Sequence, residues 1–296
     1  MPARTDLNTD PNRFTWKRNP DRAMESGLHL TDLQTESDSS ATRPPRANIL
    51  GVKIDAVDMA SALRRIESAL AENRKGYVCA PDAYNIMCAQ DDPEQRRILN
   101  NSLLTIADSR AVVWTAWAYG IRQLRQVGGP ELMLEMCRVS QTRGYRHFFY
   151  GGEPGVAEEL RKLLELRFPG LNVVGTYTPP FRPLTDAECD DLIGLVATLK
   201  PDLFWVGISS PKQERFMAEY LPLLDTKLMF AVGAAFNFHT GRVRFSPHWM
   251  QLAGLSWLFR LTQEPKRLWR RYFFAIPRFL WGVGLQLLGL RRYPLR

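Results

Sequence analysis

The stretch Leu203-Phe204-Trp205-Val206-Gly207-Ile208-Ser209-Ser210-Pro211-Lys212-Gln213-Glu214-Arg215 decides the fold class. Its first six residues lack polar alternation, the pattern of a strand covered on both faces. Pro211 fits the first turn of a helix and Ser210 fits its N-cap. Helical patterning then runs from Lys212 to Leu221, where Pro222 ends it. A buried strand, a short loop and a helix in direct succession form the unit of a parallel α/β sheet.

Working outward, the unit recurs. Short apolar runs stand at Tyr77–Cys79, Leu103–Ala107, His147–Tyr150, Val173–Tyr177 and Leu228–Val232, and Ile49-Leu50-Gly51-Val52 reads as a first short strand. Between them lie helical patterns over Met59–Glu72, Pro93–Asn101, Glu131–Thr142, Gly155–Phe168 and Asp186–Leu199. Val156, Leu160, Leu163, Leu164 and Phe168, for instance, recur at helical spacing. The expected fold is therefore α/β, a Rossmann-like, mainly parallel sheet with flanking helices over residues 46–246. Residues 1–45, rich in Asp, Ser, Thr, Pro and Arg, read as a disordered extension. From 247 to 296 the composition changes to a basic, aromatic-rich helical appendage. It carries Trp249, Trp257, Trp269 and Trp281 with Arg260, Arg267, Arg270, Arg271, Arg278, Arg291, Arg292 and Arg296.

Bulk composition narrows the function classes. The chain of 296 residues has 39 Lys and Arg against 31 Asp and Glu, a net charge of +8 that suits an anionic partner. The cysteines Cys79, Cys88, Cys137 and Cys189 show neither a disulfide framework nor a zinc spacing, and no resident metal or cofactor is expected. No signal peptide is visible, and the longest apolar candidate, Phe279–Leu290, is about a dozen residues where a span needs roughly 20. The expectation is a cytoplasmic chain free to touch a membrane. Arg, Trp and Phe interleaved on helices suit a membrane surface, nucleic acid or an ordinary helix pair with a solvated face.

In a parallel sheet ligands bind beyond the carboxyl ends of the strands, and several loops fall there. Gly151-Gly152-Glu153-Pro154-Gly155 opens a helix, where glycines let backbone N–H groups approach an anion; such turns also serve as plain tight connections. Lys212 and Gln213 sit in a helical first turn, where a cation opposes the helix dipole; an anionic ligand explains this, and so does a tolerated surface lysine. Gly233-Ala234-Ala235-Phe236-Asn237-Phe238 leaves room for a ligand ring. Asp108 follows Leu103–Ala107, placed for a general base or for a helix N-cap.

At these loops the sequence resembles the WecG/TagA/CpsF glycosyltransferases, glycosyltransferase family 26, over roughly residues 47 to 275. The resemblance rests on Pro201-Asp202-Leu203, Val206 through Glu214, Val232 through Phe238, a short basic turn with Gly241, Arg244 and Pro247, the run Gly254 to Leu261, and Glu264-Pro265-Lys266-Arg267-Leu268. It implies transfer of a hexose or N-acetylhexosamine from a UDP-sugar donor to a polyprenyl-diphosphate-linked acceptor, with inversion, no required metal and no cofactor. It implies Asp108 as the base, and Gln213 with Arg260 and Arg267 of the appendage as groups for the donor diphosphate or the lipid. Asp82, Arg110, Gly129, Gly151, Gly152, Ser210, Lys212, Glu214, Gly233, Phe236, Asn237 and Arg244 complete the expected binding set.

The implied place is peripheral, at the cytoplasmic face of the plasma membrane, on an anionic surface. The implied setting is exopolysaccharide, capsule or cell-wall glycan synthesis. No nucleic-acid module is present, so nucleic acid is not an expected partner, whereas a homo-oligomer is left open. This chain departs from the family pattern with Ala80-Pro81-Asp82 for Thr-Pro-Asn, Asp108-Ser109-Arg110-Ala111 for Asp-Gly-x-Gly, Glu131 for Asp and Asn237 for a frequent Asp. These changes make Asp82 a rival base. They also admit a non-catalytic adaptor binding lipid-linked glycans as the alternative reading.

Overall fold

A computed structural model describes residues 45–295 of the chain, so the expected disordered extension lies, but for Pro45, outside the described residues. An antiparallel hairpin comes first, β1 (Arg46–Ile49) and β2 (Val52–Asp55). Six parallel strands follow: β3 (Gly76–Cys79), β4 (Leu104–Thr105), β5 (Arg146–Gly151), β6 (Asn172–Tyr177), β7 (Leu203–Gly207) and β8 (Leu228–Ala231). They form one sheet in the order β4-β3-β8-β7-β5-β6. The sheet is the Rossmann-like α/β fold expected from the sequence.

Its central strands are apolar throughout because helices cover both faces. Phe204, Val206 and Met229 point into one core, while Leu203, Trp205 and Phe230 point into the other. The covering helices are α1 (Met59–Ala71), α2 (Ala83–Asp91), α3 (Pro93–Asn100), α4 (Arg110–Ala118), α5 (Gly129–Arg143), α6 (Val156–Arg167), α7 (Asp186–Leu199) and α8 (Lys212–Tyr220). Three details differ from the sequence reading. Ile49 to Val52 is a hairpin corner rather than one strand, since Leu50 and Gly51 both adopt positive φ (49° and 79°). The helices α2 and α4 were not expected, since each is apolar on most sides. Ser210 does not cap α8. Pro211 occupies the cap after a cis Ser210–Pro211 bond, and the Ser210 hydroxyl turns inward instead.

After β8 the chain forms short helices α9 (Ala235–His239), α10 (His248–Leu252) and α11 (Ser256–Gln263), then the long α12 (Pro265–Leu287). The last of these packs along α2, burying Leu268, Tyr272, Ala275, Phe279 and Val283. Gln286 near its end accepts from Leu50 N–H and donates to the Asn48 carbonyl, both at 2.9 Å, so the hairpin and the helix hold each other. Among the described residues the opposite face of α12 has no partner and is largely apolar. It exposes Trp269, Phe273 (71%), Phe274, Leu280, Trp281 (73%), Leu287 and Leu288, which at 100° per residue share a face about 140° wide. Among the described residues no helix is long and apolar enough to cross a membrane.

Candidate active site

Because all six strands run the same way, their C-terminal loops gather on one edge of the sheet. The loops after β3, β4, β7 and β8, together with the start of α5, line a cleft of about 590 Å³ that opens to solvent. Ala80 and Asp82 come from the β3 loop, Asp108 from the β4 loop, Ser209 and Ser210 from the β7 loop, and Ala231 to Ala234 from β8 and its loop. Gly129 and Pro130 of α5, Gln213 of α8 and Phe238 of α9 fill in the walls. The fourth side is the appendage, through Arg260 of α11 and Arg267 and Arg271 of α12.

Asp108 does not cap the helix that follows it, since Ser109 holds that place. Its Oδ1 instead accepts the backbone N–H of Gly129 (3.1 Å), the first residue of α5, while its carbonyl takes the Gln126 amide (2.8 Å). The Gly129 N–H thereby orients the side chain, and Gln126 holds the backbone behind it. Burial raises its pKa from 3.8 to about 7, helped by the nearby carboxylates of Asp82 and Glu131; the Gly129 N–H and Arg260 pull the other way. Glu131 reaches back over Gly128, where a Cβ would meet its Oε2 at 2.1 Å and push the carboxylate aside. A carboxyl group poised near neutrality at the mouth of a cleft can accept a proton from a bound hydroxyl.

Asp82 is engaged differently. Its Oδ1 caps α2 through Asn85 N–H (2.8 Å), and its Oδ2 accepts from the Arg271 guanidinium (2.7 Å). Arg271 also lies over the Tyr84 ring, 4.2 Å from its centroid. Burial would favour the neutral guanidine, but the adjoining Asp82 carboxylate more than offsets this and holds Arg271 protonated. One rung further along, Arg278 makes a bidentate pair with Asp91 (2.6 and 2.9 Å) at the end of α2. The other two arginines share Glu264, at 3.6 Å from Arg260 and 2.5 Å from Arg267. Arg260 also stands over Phe238, 5.3 Å from the ring centroid. Its Nε and that of Arg271 are buried without a hydrogen-bond partner. Three arginines facing one cleft, two of them with buried Nε–H donors left over, make a site for an anionic group.

A family comparison fits this geometry. The model of the glycosyl transferase WecG/TagA/CpsF family matches residues 47–293, most of the chain. The chain belongs to that family. The match takes in the sheet, the cleft and the appendage arginines together, and membership makes the protein a glycosyltransferase.

Of the site residues expected for a WecG/TagA/CpsF protein, the cleft brings together Asp82, Asp108, Gly129, Ser210, Gln213, Gly233, Arg260 and Arg267. Arg110, Gly151, Gly152, Lys212, Glu214, Phe236, Asn237 and Arg244 are not in its lining. Gly151 ends β5, beside the cleft strands, and Gly152 follows it; both serve close packing. At φ 129°, a Cβ on Gly151 would lie 2.6 Å from the Gly207 carbonyl oxygen. Phe236 is buried edge-on against Phe149. Arg244 is clamped through its backbone by the Gln263 amide, and Asn237 accepts Val243 N–H at its carbonyl. The sequence reading did not single out Arg271, Phe238 or Asn85. Arg267 and Arg271 are four residues apart and so share a helix face, the signal that could have found the pair.

Proposed function

We propose that this glycosyltransferase moves a hexose or N-acetylhexosamine from a UDP-sugar to a polyprenyl-diphosphate-linked acceptor, inverting the anomeric centre. The observation that carries the reading is one cleft holding both a near-neutral carboxyl, Asp108, and three arginines. In the proposed step the acceptor hydroxyl oxygen bonds to the anomeric carbon as the carbon–phosphate oxygen bond breaks. The electron pair leaves with UDP, and the hydroxyl proton passes to Asp108. Arg260, Arg267 and Arg271 offset the charge that builds on the departing diphosphate, so that no divalent ion is required.

A lipid-linked acceptor requires the cleft to lie close to a bilayer. The exposed face of α12 suits an interface, with Trp269, Phe273, Phe274 and Trp281 at headgroup level and Lys266, Arg270, Arg291 and Arg292 toward anionic lipid. On this reading the enzyme works peripherally at the cytoplasmic face of the plasma membrane, in synthesis of a surface polysaccharide or cell-wall glycan. The test is UDP release from a panel of UDP-sugars with a membrane extract as acceptor, with and without a chelator. Donor-specific release that survives chelation and is lost in Asp108→Asn is expected. No release with any donor would favour a lipid-linked-glycan adaptor instead.

A further inference from the structure

Behind the cleft lies a buried polar cluster that no part of the proposed displacement uses. Glu214, in the first turn of α8, is 0% exposed. Its Oε1 accepts from three donors: Ser210 Oγ (2.7 Å), Asn85 Nδ2 (2.8 Å) and Gln213 Nε2 (3.1 Å). Its Oε2 is buried and accepts from nothing. No arginine or lysine pairs with it among the described residues.

The partners lead directly to the cleft walls. Gln213, 2% exposed, donates from Nε2 to Ser210 and Glu214, and its Oε1 accepts Gly233 N–H at 2.9 Å. Both polar ends of that amide are thus committed to protein. Asn85 takes Gln95 Nε2 on its Oδ1 (3.1 Å), and its own backbone N–H is capped by Asp82. Through Glu214, the loops after β3, β7 and β8 are joined into one unit.

We propose that Glu214 is a positioning residue that works as an uncharged carboxylic acid, its Oε1 holding three donors so that Ser210, Gln213 and Gly233 keep the shape of the cleft. An ionised carboxylate here would be a buried charge with one oxygen bare and no cation nearby, an arrangement that costs several kcal/mol in a protein interior. Burial drives the Glu214 carboxyl upward, against hydrogen bonds from Ser210, Gln213, its own backbone N–H and Asn85 that act downward. Two thiols that feel Glu214, Cys79 on β3 and Cys88 on α2, are pushed upward chiefly by burial and stay protonated.

The functional half of this inference rests on the cleft being the donor site; the protonation half does not. Two variants and two readouts separate them. Infrared difference spectra of wild type against Glu214→Gln at about pH 7 should show a protonated carboxylic acid lost in the variant. Calorimetry with UDP as the probe should show Glu214→Ala weakened by about tenfold or more, with Glu214→Gln, which keeps the acceptor oxygen without a charge, restored to within about threefold. A carboxylate signature in the spectrum, or a Gln variant as damaged as the Ala variant, overturns the proposal. If wild type binds no UDP, the donor reading fails while the spectrum still decides the protonation state. Exchange of the Gly233 amide, faster in Glu214→Ala and unchanged in Glu214→Gln, then decides the positioning role; equal rates in all three overturn it.

Discussion

Replacing Asp108 by Asn should make the protein more stable and nearly inactive. In the folded chain the carboxyl titrates near 7, against 3.8 in its ordinary state. Below pH 3.8 both states carry the proton and nothing is lost. As pH rises from there to about 7 the unfolded chain ionises while the folded chain does not, so stability falls; above about 7 the loss is constant. The interval between 3.8 and about 7 corresponds to roughly 4 kcal/mol. At about pH 5 roughly 1.5 kcal/mol of this has accrued, so Asp108→Asn should gain about 2–3 kcal/mol more at pH 8 than at pH 5. Asparagine can still accept the Gly129 N–H through its oxygen, so the orienting bond survives. Urea denaturation of both proteins at the two pH values measures the difference. In parallel, UDP release should fall by ~10²–10⁴, and wild-type kcat/KM should rise with pH through about 7. A variant less stable at pH 8, or one that retains turnover within a few-fold, would refute the assignment of Asp108 as a desolvated base.

Three further outcomes follow from the same geometry. Asp82→Asn removes a carboxylate that raises the Asp108 pKa, so the midpoint of the pH–rate profile should move below about 7; an unmoved midpoint counts against their coupling. Phe273→Ser with Trp281→Ser should abolish co-sedimentation with vesicles of anionic phospholipid while leaving calorimetric UDP affinity unchanged, because both side chains lie on the face of α12 away from the cleft. Gly151→Ala should destabilise the fold by about 3 kcal/mol, measured by thermal unfolding, since the new Cβ meets backbone at 2.6 Å in a left-handed conformation.

Much of the fold was legible because the buried strands β5, β7 and β8 are continuous apolar runs and because α7 begins at a Thr185 capping box. The hairpin was not, because Leu50 adopts positive φ inside an apolar run and the turn markers, Gly51 and the Asn48 side chain that accepts its N–H (2.9 Å), are embedded in that run. At the site, Asp108 and the Ser210–Gln213 loop were legible as strand-end residues. What could not be read is which way a loop residue faces. Gly151 and Gly152 carry the composition of an anion loop yet close-pack against neighbours, and Glu214 sits one residue past a lining side chain but points into the core. Arg271 reaches the cleft only because α12 returns to lie along α2, a packing choice encoded by side chains 189 residues apart.

The pairs Arg271–Asp82 and Arg278–Asp91 act on α12 like two pins through parallel rails. Seven residues of helix separate the arginines by about 10.5 Å, and the two aspartates stand at either end of α2. A slide of one helical turn, roughly 5.4 Å, would shear both pins together, and only the Asp82 pin could re-seat, on Arg267 four residues before Arg271. Lifting α12 would carry Arg267 and Arg271 away from the cleft together and leave Arg260 behind on α11.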